Sequence, residues 1–283
     1  MHPFAALQRL IPQHGLSRFL GAFAASENDV VKRLLINAFM SAYGIDMREF
    51  EGETAADYAH FNDFFTRRLL PGSRPMPADP EVVVSPADGT VSQAGTVSRG
   101  RLMQAKGREY SVSALLGGAA FADGLANGAF ATVYLAPHNY HRVHTPCAGQ
   151  LVETVEIPGR LFSVNGVTER HIPRLFVRNE RLVLRIAASF GEYALVLVGA
   201  MIVASIRVNW PGPVSPYRRQ SSRNPDGVSF ERGDEIGAFL LGSTVIVLFP
   251  EGAVTLDEGI RPGQQVRVGS PIGTCDTAGS GNP

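Results

Sequence analysis

Between Thr90 and Phe249 the chain alternates short runs of Val, Ile, Leu, Tyr and Phe with Gly, Pro and Asn, and this punctuation limits what it can fold into. Such runs, bounded by turn formers, read as strands, and several in succession read as sheet. The expected strands are Thr90–Val97, Phe130–Leu135, Leu151–Ile157, Leu182–Ala187, Tyr193–Val198, Ile202–Val208 and Val245–Phe249. Residues 211–228, with Arg218, Arg219 and Arg223, read as a long mobile loop among them.

Ahead of this region the period changes. Leu16, Phe19, Leu20 and Phe23 recur at helical spacing, with Arg9, His14 and Arg18 and no acid on the polar face. That is the pattern of a helix lying in a lipid interface; a helix packed on its own core has the same stripe. Ser26, with Asp29 three residues on, is the expected cap of a second helix, whose stripe is Val31, Leu34, Leu35 and Ala38. Phe61 to Leu69 reads as a short helix ended by Pro71-Gly72, and a proline-rich linker follows to Pro80. The expectation is an α+β protein, with N-terminal amphipathic helices in residues 1–70 and a β-rich, barrel- or sandwich-like body in residues 71–283.

Composition narrows the partners. A formal net charge of zero over 283 residues gives no field that would draw nucleic acid. The two cysteines, Cys147 and Cys275, make no disulfide framework and no metal-ligand spacing, which suits a reducing compartment. No apolar run reaches the ~20 residues of a membrane-spanning helix, and the N-terminus lacks signal-peptide features. A cytoplasmic protein, free to lie on a membrane, is expected.

Three stretches could carry chemistry. In Leu241-Gly242-Ser243-Thr244-Val245 a hydroxyl follows a glycine carbonyl, which it can attack once a base takes its proton; a plain turn has the same residues. Ser85-Pro86-Ala87-Asp88-Gly89 fits a type I turn, with Asp88 as its acid. Tyr134 to Pro146 holds His138, His141 and His144, three of the seven histidines. Pro137 and Pro146 argue against the helix that would pair His141 with His144 on zinc, so acid–base work is the better reading and no metal is expected. Asp88, His144 and Ser243 also follow the chain order of subtilisin-like hydrolases, without a Gly-x-Ser-x-Gly elbow. A serine hydrolase using these three is the alternative.

Six motifs occur together in this order: Phe64-Phe65-Thr66-Arg67-Arg68-Leu69, Ser85-Pro86-Ala87-Asp88-Gly89, Tyr140-His141-Arg142-Val143-His144, Pro158-Gly159 with Leu161-Phe162-Ser163-Val164-Asn165, Arg178-Asn179-Glu180-Arg181 and Leu241-Gly242-Ser243-Thr244. From about residue 60 to about residue 270 the chain resembles the bacterial phosphatidylserine decarboxylases of the pyruvoyl-dependent, membrane-associated type. Asn139 departs from the aspartate that relatives often carry before the Tyr-His pair.

The resemblance implies a proenzyme that cuts itself between Gly242 and Ser243, giving chains of residues 1–242 and 243–283 that stay together as a heterodimer. His144, oriented by Asp88, would take the Ser243 proton, and Ser243 would end as a pyruvoyl group. That group would hold phosphatidylserine as a Schiff base, lose carbon dioxide and release phosphatidylethanolamine. His141 is the implied handler of the carboxylate or the returning proton, with His144 sharing the task. A two-chained lipid implies a peripheral enzyme on the cytoplasmic side of the cell membrane, its N-terminal helices in the interface. Arg67 and Arg68 would meet phosphates or simply be solvated; His138 and His171 are expected to be structural.

Overall fold

The computed structural model describes residues 8, 13–105, 107–118, 120–200, 206–212, 215–240 and 243–275. Two helices come first, α1 (Gln13–Ala24) and α2 (Asp29–Tyr43). The cap of α2 is Asn28 rather than Ser26: its side chain accepts from the amides of Val30 and Val31. Gly44 ends the helix in the left-handed region at φ 59° and returns its N–H to the Met40 carbonyl. The buried side of α2 also differs from the expected stripe. Ile36 is fully buried, with Leu35, Phe39 and Met40 packed beside it, while Leu34 is 69% exposed and Ala38 is exposed.

These helices bury their inner face against α3 (Phe61–Phe65), which ends before the expected Leu69. Phe39 stands edge-on to Phe61 at 5.2 Å and to Phe65 at 5.7 Å, a preferred aromatic geometry. With Ala24, Ala55, Tyr58 and Phe64 they make a small core of their own. The outer face keeps Phe19, Phe23, Val30 and Leu34 in solvent. The side chains of Leu16 and Arg18, and the whole of Arg9, lie outside the described residues, as does the side chain of His14. Among the described residues no helix is long and apolar enough to cross a membrane.

The body is β-rich. Its strands are β1 (Val82–Val84), β2 (Gly89–Thr96), β3 (Arg101–Ala105), β4 (Arg108–Ser111), β5 (Ala129–Leu135) and β6 (Arg142–His144). Then come β7 (Gly149–Ile157), β8 (Arg181–Ala188), β9 (Gly191–Gly199), β10 (Ile206–Val208), β11 (Ser221–Arg223) and β12 (Ser229–Phe230). The last are β13 (Glu235–Phe239), β14 (Ser243–Leu248), β15 (Val254–Leu256), β16 (Gln265–Val266) and β17 (Pro271–Cys275). The main sheet runs β11-β7-β8-β9-β14-β5-β2-β16, with β12 also on β7. It is open at both edges, not a closed barrel. The supposed mobile loop is part of it: β11 pairs with β7, Arg223 bridges to Glu156 at 2.8 Å, and Tyr217 is buried with its amide on Glu180.

Both faces of this sheet are covered, which explains why β14 is buried at every position. One face carries Val133, Leu135, Leu195, Leu197, Val245 and Val247. Two small sheets, β10-β13-β6 and β1-β17-β15, pack there through Val143, Ile206, Ile236, Phe239, Val83 and Ile272. The other face carries Val196, Val198, Ile246 and Leu248 under the β3–β4 hairpin and short helices, with Leu102, Tyr110, Leu115 and Phe176 between. The fold is thus sandwich-like on one side and helix-covered on the other.

Candidate active site

Ser243 opens β14, paired with Leu135 of β5 on one side and Gly199 of β9 on the other. Side chains alternate along a strand, so Ser243 shares the face of Val245 and Val247, the one on which β10-β13-β6 packs. Its hydroxyl is fully buried and has no hydrogen-bond partner among the described residues. A buried polar group left unbonded costs about 1–3 kcal/mol, and in a native fold such a group calls for an explanation. Gly199 is itself braced: the Asn179 amide donates to its carbonyl at 2.9 Å. Gly242 and Leu241 lie outside the described residues.

The two histidines arrive through the small sheet. Glu235 lies opposite His144 in the β6–β13 pair, and the Phe239 amide donates to the His141 carbonyl at 2.9 Å. The His segment is therefore fastened to the strand that leads into Ser243. Arg142 pins it from below, with its guanidinium on Glu235 at 2.8 Å and on the Thr66 carbonyl at 2.8 Å.

Chemistry fixes the state of His144. Its Nδ1 lies 2.7 Å from the Gly233 carbonyl, which can only accept, so Nδ1 carries the proton. Nε2 is left as the basic nitrogen and accepts from the Tyr140 hydroxyl at 3.0 Å. Burial lowers its pKa below the ordinary histidine value, keeping the ring neutral at neutral pH. His144 is a base with its lone pair aimed by its neighbours.

The orienting bond expected from Asp88 is made by Gly233 instead. The Asp88 carboxylate is committed elsewhere: Arg74 donates to it at 2.5 Å and 3.2 Å, and the Val268 amide at 2.8 Å. Asp88 reaches His144 through its field, which favours the imidazolium against the effect of burial. Gly89 allows this placement, because a Cβ there would stand 2.3 Å from the Tyr134 carbonyl. Arg74 extends the network to Glu49, which also takes Arg267 at 2.7 Å.

His141 is more deeply set. Its ring lies 4.0 Å from that of Phe65 and is fully buried. Nδ1 donates to the Asn139 carbonyl at 2.8 Å, while Nε2 is buried without a partner among the described residues. Burial pushes its pKa down to about 3, so it too is neutral. Asn139 meanwhile accepts from the Ala136 amide through Oδ1 at 2.8 Å, a bond an aspartate would also make. The departure from the usual residue changes the charge there and keeps the turn.

Sequence reading missed three members of this site. Arg74 sits in the proline-rich linker, Gly233 acts through its backbone, and Tyr140 was read only as part of a motif. Arg67 is a correction. It is buried, its guanidinium 4.2 Å above the Phe50 ring and donating to the His138 carbonyl at 3.1 Å. It is therefore not a solvated surface arginine, whereas Arg68 is exposed. Among the described residues no group of three or more His, Cys, Asp and Glu could hold a metal.

A buried serine on the sheet face covered by the strands that carry two neutral imidazoles suits an enzyme that works by acid–base chemistry. A family model described as phosphatidylserine decarboxylase matches residues 61–274, and one described as PSD matches residues 3–44. The chain belongs to the phosphatidylserine decarboxylase family. It is 48% identical over 276 residues to the phosphatidylserine decarboxylase proenzyme of Alcanivorax borkumensis, covering 95% of each chain. The relative of the same name from Saccharophagus degradans is 44% identical, covering 97% of this chain and 98% of its own. That of Hahella chejuensis is 44% identical, covering 95% and 93%. These matches do not favour the serine hydrolase.

Proposed function

We propose that the chain is a self-processing decarboxylase that converts phosphatidylserine to phosphatidylethanolamine and carbon dioxide. The observation that carries this reading is the fully buried, unbonded hydroxyl of Ser243 at the head of a buried strand. His144 would take its proton through Nε2, with Tyr140 either yielding that nitrogen or relaying the proton through its own hydroxyl. The freed Ser243 oxygen would attack the Gly242 carbonyl, and the peptide bond there would give way to an ester and then to a cut. Asp88 would stabilise the imidazolium formed on His144.

Ser243 fits the pyruvoyl group that the family implies: its side chain is small, buried and free of bonds that would have to break. Once formed, that group would supply an α-keto carbonyl to take up the electron pair left by departing carbon dioxide. His141 would receive the substrate carboxylate or the returning proton at Nε2. An anion brought there would favour its imidazolium, raising the pKa that burial has lowered.

Cutting would leave residues 243–283 as a separate chain, and the sheet supports its retention. β14 makes six registered pairs with β5 and six with β9. β16 pairs with β2, and β17 with β1. Val245 to Phe249 are fully buried, each contributing about 1.5–3 kcal/mol. The two chains would form a stable heterodimer.

The exposed Phe19, Phe23, Val30 and Leu34 support a peripheral seat on a lipid surface, which would be the cytoplasmic side of the cell membrane. Residues 1–70 would be the membrane-associating region and residues 71–283 the catalytic domain. Phe65 on His141 and Arg142 on the Thr66 carbonyl join the two at the site.

Intact mass under denaturing conditions tests the proposal. Two masses, for residues 1–242 and for a keto-blocked chain from position 243, are expected, with a single uncut mass for Ser243→Ala. Two masses from that variant, or one uncut mass from active wild-type protein, would overturn the mechanism.

A further inference from the structure

The chain has two cysteines, and they fall on opposite sides of the Gly242–Ser243 bond: Cys147 in the large segment, Cys275 in the small one. They are 128 positions apart in sequence and neighbours in space. Three backbone contacts seat both of them against β1. The Val84 amide donates to the Pro146 carbonyl at 3.1 Å, which fixes Cys147 beside the end of β1. The Cys275 amide donates to the Glu81 carbonyl at 2.8 Å, at the other end of the same strand, and Val82 lies opposite Thr274. Both side chains join the cluster around Tyr193, Phe249 and Val254, and the Tyr193 hydroxyl donates to the Cys147 carbonyl at 3.1 Å. The Cys275 thiol lies within hydrogen-bond reach of the Cys147 thiol. Both are reduced in this structure.

We infer that Cys147 and Cys275 form an oxidative cross-link site, whose disulfide ties the small chain to the large one after self-cleavage. The inference rests on the self-processing reading for its consequence, not for the bond. The reaction is thiol–disulfide exchange with a low-molecular-weight disulfide. The Cys275 thiolate, on the half-exposed residue, attacks one sulfur of that disulfide and displaces its other half as a thiol. The Cys147 thiolate then attacks the mixed disulfide at the Cys275 sulfur and displaces the second half. Two protein thiols are oxidised, one small disulfide is reduced to two thiols, and the two protein protons end on those products. The protein sulfurs must close from contact to about 2.05 Å.

The second step sets the rate. The Cys275 thiol beside it, and then burial, push the Cys147 thiol up, and exchange needs the thiolate. The link therefore forms faster as pH rises, and stays open in a compartment that keeps thiols reduced.

The site differs from the catalytic machinery in what it does to the molecule. The sheet holds the small chain only while folded; a covalent link holds it when the fold opens. A cleaved protein that loses its small chain on unfolding cannot refold intramolecularly. The cross-linked one can.

The test uses the purified full-length protein and its Ser243→Ala variant, incubated with glutathione disulfide or with dithiothreitol. Each is then denatured without reductant and weighed intact. For the wild type, glutathione disulfide should give one species, the sum of the two chains less two hydrogens, and dithiothreitol should restore two. Cys275→Ser should give two chains under both conditions, with cleavage unchanged. In Ser243→Ala, proteolysis should yield one peptide pair joining Cys147 to Cys275. Two separate chains with glutathione held on Cys275 would overturn the cross-link while leaving self-cleavage standing. A joined peptide pair in a wild type that never divides would support the bond and overturn the self-processing reading.

Discussion

The imidazole of His144 donates through Nδ1 to the carbonyl of Gly233 at 2.7 Å, and this one bond decides which nitrogen is the base. A carboxylate in that place would hold the ring equally well but would also raise its pKa. A backbone carbonyl orients it and raises the pKa too, but by less than burial lowers it, so the ring stays neutral.

Self-cleavage should therefore tolerate mild acid. The cutting rate needs unprotonated Nε2, and a lowered pKa keeps it so below the ordinary value of 6.5. The rate should stay flat from pH 8 down to pH 6.5 and fall only at lower pH. Tyr140→Phe removes a donor that favours the neutral ring, a bond of about 0.5–1.5 kcal/mol. The acid limb should move up by up to about one pH unit, read from intact-mass time courses; an unmoved limb would deny Tyr140 that role.

Arg74 should matter as much as Asp88. The pair is buried on both sides, at 6% and 8% side-chain exposure. Removing one partner of a buried pair costs about 3–5 kcal/mol. Arg74→Met should lower the urea midpoint accordingly and slow cutting. Asp88→Asn, which can still accept from the Val268 amide, should lose less stability and cut poorly. An unchanged midpoint for Arg74→Met would rule out the network as drawn.

His141 should make the fold acid-sensitive. Its folded pKa is about 3 against the ordinary histidine value of 6.5, so between these values the unfolded state binds a proton that the folded state does not. The stability tied to its neutrality is complete above pH 6.5 and lost as pH falls towards 3, by up to about 1.4 kcal/mol per unit. Denaturant melts at pH 7, 6 and 5 should show this slope, and His141→Phe should lack that share of it. His141→Ala should still cut itself but decarboxylate phosphatidylserine poorly. Normal turnover would remove His141 from the reaction.

The outer face of α1 and α2 should bind lipid without supporting the fold. Phe19 is 61% exposed and Leu34 69%, and exposed positions shift stability by within about 0.5 kcal/mol. Phe19→Ser with Leu34→Ser should leave Tm unchanged and weaken flotation with phosphatidylserine-containing vesicles several-fold. Equal flotation would place the membrane contact elsewhere.

Much of the body could be read residue by residue. Leu151–Ile157 and Tyr193–Val198 sit inside β7 and β9, and Phe130–Leu135 inside β5, because period and flanking turn formers are local. The cap of α2 was missed because Ser26 and Asn28 both suit a cap; the Asn28 side chain is the one that reaches the first amides. The arginine-bearing stretch after Trp210 looked like loop because β11 is only three residues long and exists by pairing with β7. Asp88, His141, His144 and Ser243 could be singled out as candidates from the sequence, but not the bonds that hold them.

The sequence by itself determined the long strands of the main sheet, the family motifs and the serine that follows a glycine. These depend on residues close together in the chain, where spacing and side-chain type suffice. Only the tertiary structure decided that Gly233 orients His144, that Arg74 holds Asp88, that Arg67 is buried on Phe50 and that Cys147 meets Cys275. Each of these joins segments far apart in sequence, through a backbone carbonyl or a packed ring that no local pattern marks. Contacts of that kind become visible only when the sheets have closed on each other.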